Sequence, residues 1–193
     1  MLLVDGNEND ALFVMKILQQ IEQDSGTDVY LLFTDAFHDS SSFVRALVGR
    51  VESEWKVACS ALLEEGRSPF ASPPDSLYDE ALPAADRLVH AIRYVRSLIP
   101  EQGRHRLVWA MLPLEISNWH AYQDLVCALA PWHGVAPWMR GVRLVVRHSN
   151  DRSPLGERLA KAPRSRALDA NLGPEAIEAA IRDETADDTL PNE

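Results

Sequence analysis

The residues with the clearest capacity for chemistry form a short polar loop near the start of the chain. In the segment VDGNENDALF, a glycine is followed by two asparagines and two acidic residues, directly before a helical pattern. Backbone N–H groups in such a turn can bind a phosphate, and carboxylates beside them can hold a magnesium ion. The candidate nucleotide-binding residues are therefore Gly6, Asn7, Glu8, Asn9 and Asp10, and the cofactor that would suit them is ATP with magnesium.

The same loop lacks the side chains that complete a phosphate-binding loop. The pattern GxxxxGK[ST], begun at Gly6, places Ala11, Leu12 and Phe13 where the second glycine, the lysine and the hydroxyl belong. That lysine contacts the β- and γ-phosphates and the hydroxyl binds magnesium, which leucine and phenylalanine cannot do. A working loop of this kind is therefore not expected, and the sequence favours a protein without a bound cofactor.

The elements that would position this loop alternate between strand and helix. Apolar runs predict buried strands at the N-terminus and in four later segments, namely residues 28–35, 105–112, 141–148 and 165–171. Helical periodicity predicts connecting helices, among them 8–24 and 41–65. This alternation favours a three-layer α/β sandwich, in which helices cover both faces of a mostly parallel sheet of four or five strands. We expect a single domain over 1–182 with an exposed loop at 66–76, followed by an acidic, disordered tail at 183–193.

Two further loops follow predicted strands, and ligands of parallel α/β sheets bind at that end of the strands. One loop carries Asp35, His38 and Asp39, and the other carries Glu115. The first three residues could bind a metal ion, but capping of the next helix explains them better, because no fourth ligand lies nearby in the sequence. Glu115 is a candidate general base on water, with a solvated carboxylate near a helix N-terminus as the alternative.

Three later segments carry a family pattern, and they read RLVWAMLPLEIS, GVRLVVRHS and LDANLGPEAIEAAI. They resemble, in that order, the Walker B strand, the sensor strand and the return segment before the lid in nucleotide-binding ATPases of the AAA and STAND kind. The resemblance covers 1–20 and 105–182, and it implies the fold of a P-loop NTPase. The Walker B aspartate that would hold magnesium is missing, because residues 109–112 read Trp-Ala-Met-Leu.

The first strand carries a second pattern, since LLVDGNENDA resembles the LLVDDNENDA with which response-regulator receiver domains commonly begin. Receivers need an acidic pair in this loop, and here Gly6 follows Asp5. Trp109 stands where the resemblance implies the phosphoryl-accepting aspartate, four residues before Pro113, and Arg147 stands where it implies a hydroxyl. A degenerate P-loop domain and a pseudo-receiver remain as two interpretations, which the order of strands in the sheet distinguishes.

Charge is unevenly distributed along the chain. The net charge is −10, but residues 140–166 contain eight basic residues against two acidic ones, which gives this stretch a charge of +6. Tryptophan beside arginine is typical of protein interfaces. The candidate interface residues are Trp132, Trp138, Arg140, Arg143, Arg147 and Arg152. We expect a protein partner or self-association, whereas the acidic chain as a whole argues against binding to nucleic acid.

Apolar stretches, the N-terminal residues and the two cysteines bear on the cellular location. No apolar stretch is long enough to suggest a membrane helix, and the acidic residues from Asp5 onward do not fit a signal peptide. Cys59 and Cys127 lie within helical apolar patterns and are expected to be reduced core residues. The sequence therefore predicts a cytoplasmic protein.

The favoured interpretation is a non-catalytic protein-interaction or assembly module, built on a degenerate nucleotide-binding type of α/β fold. One alternative is an atypical NTP-binding domain or NTPase, in which Glu8, Asp10 or Glu115 supplies a metal ligand or a base. The other alternative is a pseudo-receiver, which would transmit a signal through contacts with a partner.

Overall fold

The computed structural model describes residues 1–6, 8–26, 28–100, 105–149, 155–159 and 161–169. Its strands are β1 (Leu2–Asp5), β2 (Val29–Phe33), β3 (Leu107–Met111), β4 (Val142–His148) and β5 (Arg166–Asp169). Its helices are α1 (Glu8–Ser25), α2 (Ser40–Glu64), α3 (Ala84–Leu98), α4 (Trp119–Ala128) and α5 (Leu155–Leu159). Short 3₁₀ turns occupy Asp75–Leu77 and Pro137–Met139. The predicted acidic tail, with Asn7 and Arg152, lies outside the described residues.

The five strands form one parallel sheet in the order β2-β3-β4-β1-β5. The first strand is therefore interior, since Leu3 lies in register with Val146 of β4 on one side and with Ala167 of β5 on the other. Every residue of β3 is buried, as expected for a strand that has helices over both faces. The predicted three-layer α/β class, with its parallel sheet, is confirmed.

Helices cover both faces of the sheet and give the domain two cores. Because successive strand residues point to opposite faces, Leu3 and Val4 belong to different cores. The core around Val4 is closed by α1 through Ala11, Val14 and Leu18. The larger core around Leu3 is closed by α2, α3 and α4 and contains Trp109 and Tyr122. No helix in the described part of the chain is long and apolar enough to cross a membrane.

The longest helix, α2, begins and ends at residues suited to those positions. Asp39 precedes it in extended backbone, and its carboxylate accepts a hydrogen bond from the Ser42 N–H at 2.9 Å. Just beyond the other end, Gly66 has a φ of +71°, which glycine adopts without steric cost. The capping role predicted for Asp39 is confirmed.

Residues 66–76 connect α2 to the elements before α3 and are largely exposed. The Tyr94 hydroxyl on α3 donates a hydrogen bond to the Ala71 carbonyl at 2.6 Å, which ties the connection to that helix. Burial of that hydroxyl raises the pKa of Tyr94 to about 12. The connection therefore runs alongside α3, and Phe70 lies close to residues of α2 and α3.

Two loops at the carboxyl ends of the strands are joined to each other. The Phe37 N–H donates to the Glu115 carbonyl at 2.8 Å, and the Ser117 N–H donates to the Phe37 carbonyl at 3.0 Å. These bonds form an isolated parallel bridge between Phe37 and Ile116. The loop after β2 and the loop after β3 therefore form one continuous rim beside the loop after β1.

Candidate functional site

At the end of β1, Gly6 packs closely against His148 of β4 and Asp10 of α1. The Gly6 N–H donates to the carbonyl of His148 at 3.2 Å, so one of the N–H groups that could have bound a phosphate is already used. A Cβ added to Gly6 would lie 2.5 Å from the Cβ of Asp10, so only glycine allows the Asp10 side chain to pack here. The structure thus brings together two of the predicted nucleotide-binding residues.

The other predicted residues of this loop are only partly described. Glu8 and Asn9 form the first turn of α1, but their side chains, like the whole of Asn7, lie outside the description. Phe13, at the position of the P-loop hydroxyl, is 37% exposed. The predicted assignment of residues 6–10 to nucleotide binding stays a prediction.

The residue that connects the loops at the carboxyl ends of the strands is Arg147 of β4, which is 5% exposed. Its Nη1 donates to the carbonyls of Pro113 and Leu114, at 2.6 and 2.8 Å, and its Nε donates to the carbonyl of Gly6 at 3.3 Å. The guanidinium therefore spans the gap between the loop after β1 and the loop after β3. This buried cation, bonded to three carbonyls, therefore lies at the carboxyl ends of the strands, where parallel α/β sheets usually bind their ligands.

The local sequence explains why an arginine is needed at this position. Pro113 turns the chain just after β3, and neither its carbonyl nor that of Leu114 belongs to a strand or a helix. Buried carbonyls require a donor, and the planar guanidinium supplies several donors in a fixed geometry. Arg147 also lies 5.8 Å from the centre of the Trp119 ring, at the start of α4.

His148, the next residue, is a buried imidazole in register with Asp5 of β1. Neither ring nitrogen has a hydrogen-bond partner in the part of the chain that the structure describes. Burial lowers the pKa of His148 because it disfavours the charged ring, and the nearby Asp5 carboxylate opposes that effect. Sequence reasoning did not select this pair, although both residues end adjacent strands.

The acidic positions expected from either family resemblance lie in the apolar core. Trp109 is fully buried, and its ring centre lies 4.7 Å from that of Phe33. Met111 is also fully buried, and its carbonyl accepts a hydrogen bond from Tyr122. Glu115, the candidate base, has an exposed side chain, and the loop bridge engages only its backbone. Among the described residues, no carboxylate therefore lies at the end of β3, where a Walker B acid would be.

A serine and a histidine meet across the joined loops, which the sequence did not predict. The Ser117 Oγ lies 2.9 Å from the Nδ1 of His38. The same hydroxyl lies within hydrogen-bond distance of the Phe37 carbonyl, at 3.2 Å, so the tautomer of His38 decides which of the two accepts its proton. Nucleophilic catalysis needs a base that takes that proton and a third group that orients the base. The contact serves to join the loops.

The residues predicted as metal ligands do not converge. Asp39 caps α2, which lowers the pKa of its carboxyl through the hydrogen bonds from Ser42, and Asp35 is exposed. Among the residues that the structure describes, no three histidine, cysteine or acidic side chains form a group that could hold a metal ion.

The predicted interface residues are spread over different environments. Trp132 is 38% exposed, and its indole N–H donates to the Cys127 carbonyl at 2.7 Å. Arg143 is half-buried within β4. Arg147 was expected among the surface arginines, but its burial removes it from any surface. Arg140 is exposed, and Trp138 packs half-buried against the larger core.

Two arginines of α3 lie close to Trp138 and Arg140. Arg93 and Arg96 lie with Trp138 and Arg140 around an open hollow of about 530 Å³, which we call the arginine hollow. Sequence reasoning missed the α3 arginines because they lie more than forty residues before the basic stretch. Their spacing of three residues on a helix could have indicated a shared face.

Arg96 is held in place by backbone groups of the hollow. Its Nη1 donates to the Ile99 carbonyl at 3.0 Å, and its Nε lies 3.4 Å from the Arg140 carbonyl. Gly141 has a φ of +70°, and a Cβ there would lie 2.8 Å from the Arg96 Nε. The glycine therefore makes room for the guanidinium, so the hollow presents a positioned charge rather than a mobile one.

Comparison of the chain with protein-family models, with curated proteins and with solved structures finds no match. What the site can do must therefore be inferred from its own geometry.

Proposed function

We propose that this chain is a non-catalytic protein-interaction module on a degenerate nucleotide-binding type of α/β fold. The observation that carries the proposal is the position of Arg147, whose guanidinium joins the loop after β1 to the loop after β3. A nucleotide site needs N–H groups and cations that face a phosphate, whereas the Gly6 N–H and the Arg147 guanidinium donate to backbone carbonyls. The loops at the carboxyl ends of the strands therefore use these groups to hold each other in place.

The strand order differs from the one that the receiver resemblance implies. A receiver-type sheet has the order 2-1-3-4-5, in which the first strand pairs with the second. Here two strands, β3 and β4, separate β1 from β2. The pseudo-receiver interpretation also lacks support from Trp109, which fills the core where an accepting aspartate would have to be exposed.

We assign the binding role to the arginine hollow. Among the described residues, its lining includes Arg93, Arg96 and Arg140 and no acidic side chain, while Trp138 and Pro137 supply apolar surface. Tryptophan and arginine are the residues that most often dominate interface energies. The partner that fits this composition is an acidic protein surface, either of another protein or of a second copy of this acidic chain.

Nucleotide binding is tested by thermal unfolding with and without millimolar ATP and magnesium. A ligand at a hundred times its dissociation constant stabilises by about 2.7 kcal/mol, which raises the Tm of a domain of this size by roughly 5–11 °C. We expect no measurable rise. A rise of several degrees that requires magnesium would overturn the non-catalytic reading and favour the NTPase alternative.

The interface is tested by charge reversal of two exposed arginines of the hollow. We expect Arg93→Glu with Arg140→Glu to abolish self-association or cross-linking to a native partner, while the unfolding transition stays unchanged. The matched control is Arg45→Glu with Arg67→Glu, which makes the same change of charge at exposed arginines elsewhere. If both double variants lose binding equally, net charge rather than this surface is responsible.

A further inference from the structure

The positive charge of the arginine hollow is not compensated within the described part of the chain. Arg93, Arg96 and Arg140 line the hollow, and none of them forms an ion pair with a described carboxylate. Arginines elsewhere on the surface do form such pairs, as Arg45 does with Glu80 at 2.7 Å. Like charges around one hollow repel one another, so an anion that enters it is attracted by all three guanidinium groups. The hollow therefore has the charge of an anion site, in a chain whose net charge is −10.

Arg96 keeps hydrogen-bond donors for such an anion. Its Nη1 and Nε contact backbone carbonyls, whereas its Nη2 forms no hydrogen bond among the described residues and is not buried. Arg93 and Arg140 are exposed, and their guanidinium groups form no hydrogen bond with any described residue. The Ser97 hydroxyl in the same lining already donates to the Tyr94 carbonyl at 2.6 Å. The side-chain donors that the described lining offers to an anion are therefore guanidinium groups.

Three guanidinium groups favour a phosphoryl group over a carboxylate. A phosphorylated side chain carries a charge of about −1.5 to −2 at pH 7 and three acceptor oxygens, whereas a carboxylate carries about −1 and two oxygens. Arg93 and Arg96 approach the hollow from α3, and Arg140 approaches it from the segment before β4. Each guanidinium can therefore donate to a different phosphoryl oxygen, and such charge-assisted bonds are the stronger ones.

The apolar part of the hollow indicates what carries the phosphoryl group. Pro137 and Trp138 line the same opening as the arginines, and tryptophan beside arginine is typical of protein interfaces. A nucleic acid is disfavoured, because the acidic chain repels a phosphate backbone. A protein segment with one phosphorylated side chain places its charge at the arginines and its other atoms against the apolar wall.

We propose that the arginine hollow binds a phosphorylated side chain of the partner protein. The inference rests on the proposed function, in which the hollow is the binding surface, and it names the group that this surface recognises. The phosphoryl oxygens accept hydrogen bonds from Arg93, Arg96 and Arg140, and the polypeptide beside that group packs on Pro137 and Trp138.

Peptide titrations of the full, isotope-labelled chain, followed by two-dimensional amide NMR, test the proposal. The three peptides share one glycine- and alanine-based sequence and carry phosphoserine, glutamate or serine at the centre. The indole N–H signal of Trp138, assigned by its loss in Trp138→Phe, and the amide signal of Gly141 report binding at the hollow. We expect the phosphoserine peptide to bind at least about fivefold more tightly than the glutamate peptide. The serine peptide should leave both signals unchanged.

Neutral substitutions locate the binding groups. Arg93→Gln with Arg140→Gln removes two charges from the hollow, and we expect it to weaken binding of the phosphoserine peptide by roughly tenfold. The matched control is Arg45→Gln with Arg67→Gln, which changes the net charge equally and should bind within about twofold of wild type. All four positions are exposed, so both double variants should keep the unfolding transition of wild type.

Four results would overturn the proposal. These are no shift of the Trp138 and Gly141 signals at up to about 10 mM phosphoserine peptide, equal binding of the glutamate peptide, and unchanged phosphopeptide binding by Arg93→Gln with Arg140→Gln. The fourth is inorganic phosphate that binds as tightly as the phosphoserine peptide, which would assign the hollow to free phosphate rather than to a protein side chain.

Failure of this inference is distinguishable from failure of the proposed function. If Arg93→Glu with Arg140→Glu loses association while wild type does not bind the phosphoserine peptide, the interface stands and the phosphoryl group is wrong. If that variant keeps its association with the native partner, the hollow is not the interface. A partner's side chain is then also excluded as the source of the phosphoryl group.

Discussion

Replacing Arg147 with methionine tests the central structural inference, that this residue is a structural tie rather than a ligand-binding or interface arginine. Methionine is shorter but keeps much of the apolar stem, and it removes all the donors. The carbonyls of Pro113, Leu114 and Gly6 then lose the hydrogen bonds that join their two loops. We expect a large loss of folding stability from a single side chain.

The magnitude follows from the geometry. A hydrogen bond to a charged group contributes about 1.5–3 kcal/mol, and the two short bonds, at 2.6 and 2.8 Å, together give roughly 3–6 kcal/mol. Removing the buried charge also relieves its desolvation cost, which offsets part of that loss. We therefore expect Arg147→Met to lower the free energy of unfolding by about 2–4 kcal/mol. Arg147→Lys keeps the charge but has no planar fork, so it should fall between methionine and wild type.

Urea unfolding followed by tryptophan fluorescence measures the effect, because a lower midpoint with an unchanged slope reports lost stability. Arg140→Met is the matched control at an exposed position, and it should stay within about 0.5 kcal/mol of wild type. If Arg147→Met equals wild type or exceeds it, the guanidinium does not hold the edge together. The argument for a structural edge would then fail.

Three further substitutions probe neighbouring features. Gly6→Ala should lower the free energy of unfolding by about 2 kcal/mol in urea titrations, because its Cβ would lie 2.5 Å from that of Asp10; an unchanged midpoint would contradict the close packing. Burial lowers the pKa of His148 in the folded chain below its ordinary value of 6.5. At pH values below about 6.5 the unfolded chain therefore binds more protons than the folded chain, and the free energy of unfolding decreases as the pH is lowered. His148→Leu should flatten the loss between pH 7 and 5, and a profile as steep as wild type would assign it to other groups. Gly141→Ala should cost about 1–2 kcal/mol by thermal unfolding, since it combines a φ of +70° with a close contact to Arg96; a neutral result would mean that the guanidinium moves away freely.

The positions of the strands could be predicted because each strand is a short apolar run between polar residues. The segment GVRLVVRH predicted a strand over 141–148, and β4 covers Val142–His148. The order of strands could not be predicted in the same way. β2 and β3 are apolar along their whole length, so no side-chain pattern distinguishes one neighbour from another. The pairing of β1 with β4 and β5 depends on contacts between distant parts of the chain.

The candidate site was predicted less well, and Arg147 shows why. Counting charges along the sequence grouped it with surface arginines such as Arg140, because arginine is usually exposed. Yet the residues on both sides of it, Val146 and His148, are buried in an interior strand. An arginine in such a strand must bury its stem and find acceptors at the strand end. That signal is visible only once β4 is known to be interior.

The interior position of β1 has a consequence for how the chain folds during synthesis. β1 is made first, but its partner strand β4 follows roughly 140 residues later, which at about 5–20 residues per second is a delay of ~7–30 s. Throughout that interval the apolar residues Leu3 and Val4 have no sheet to join. β1 can therefore join the sheet only after β4 has been made, and β5 can attach only after β1 is in place.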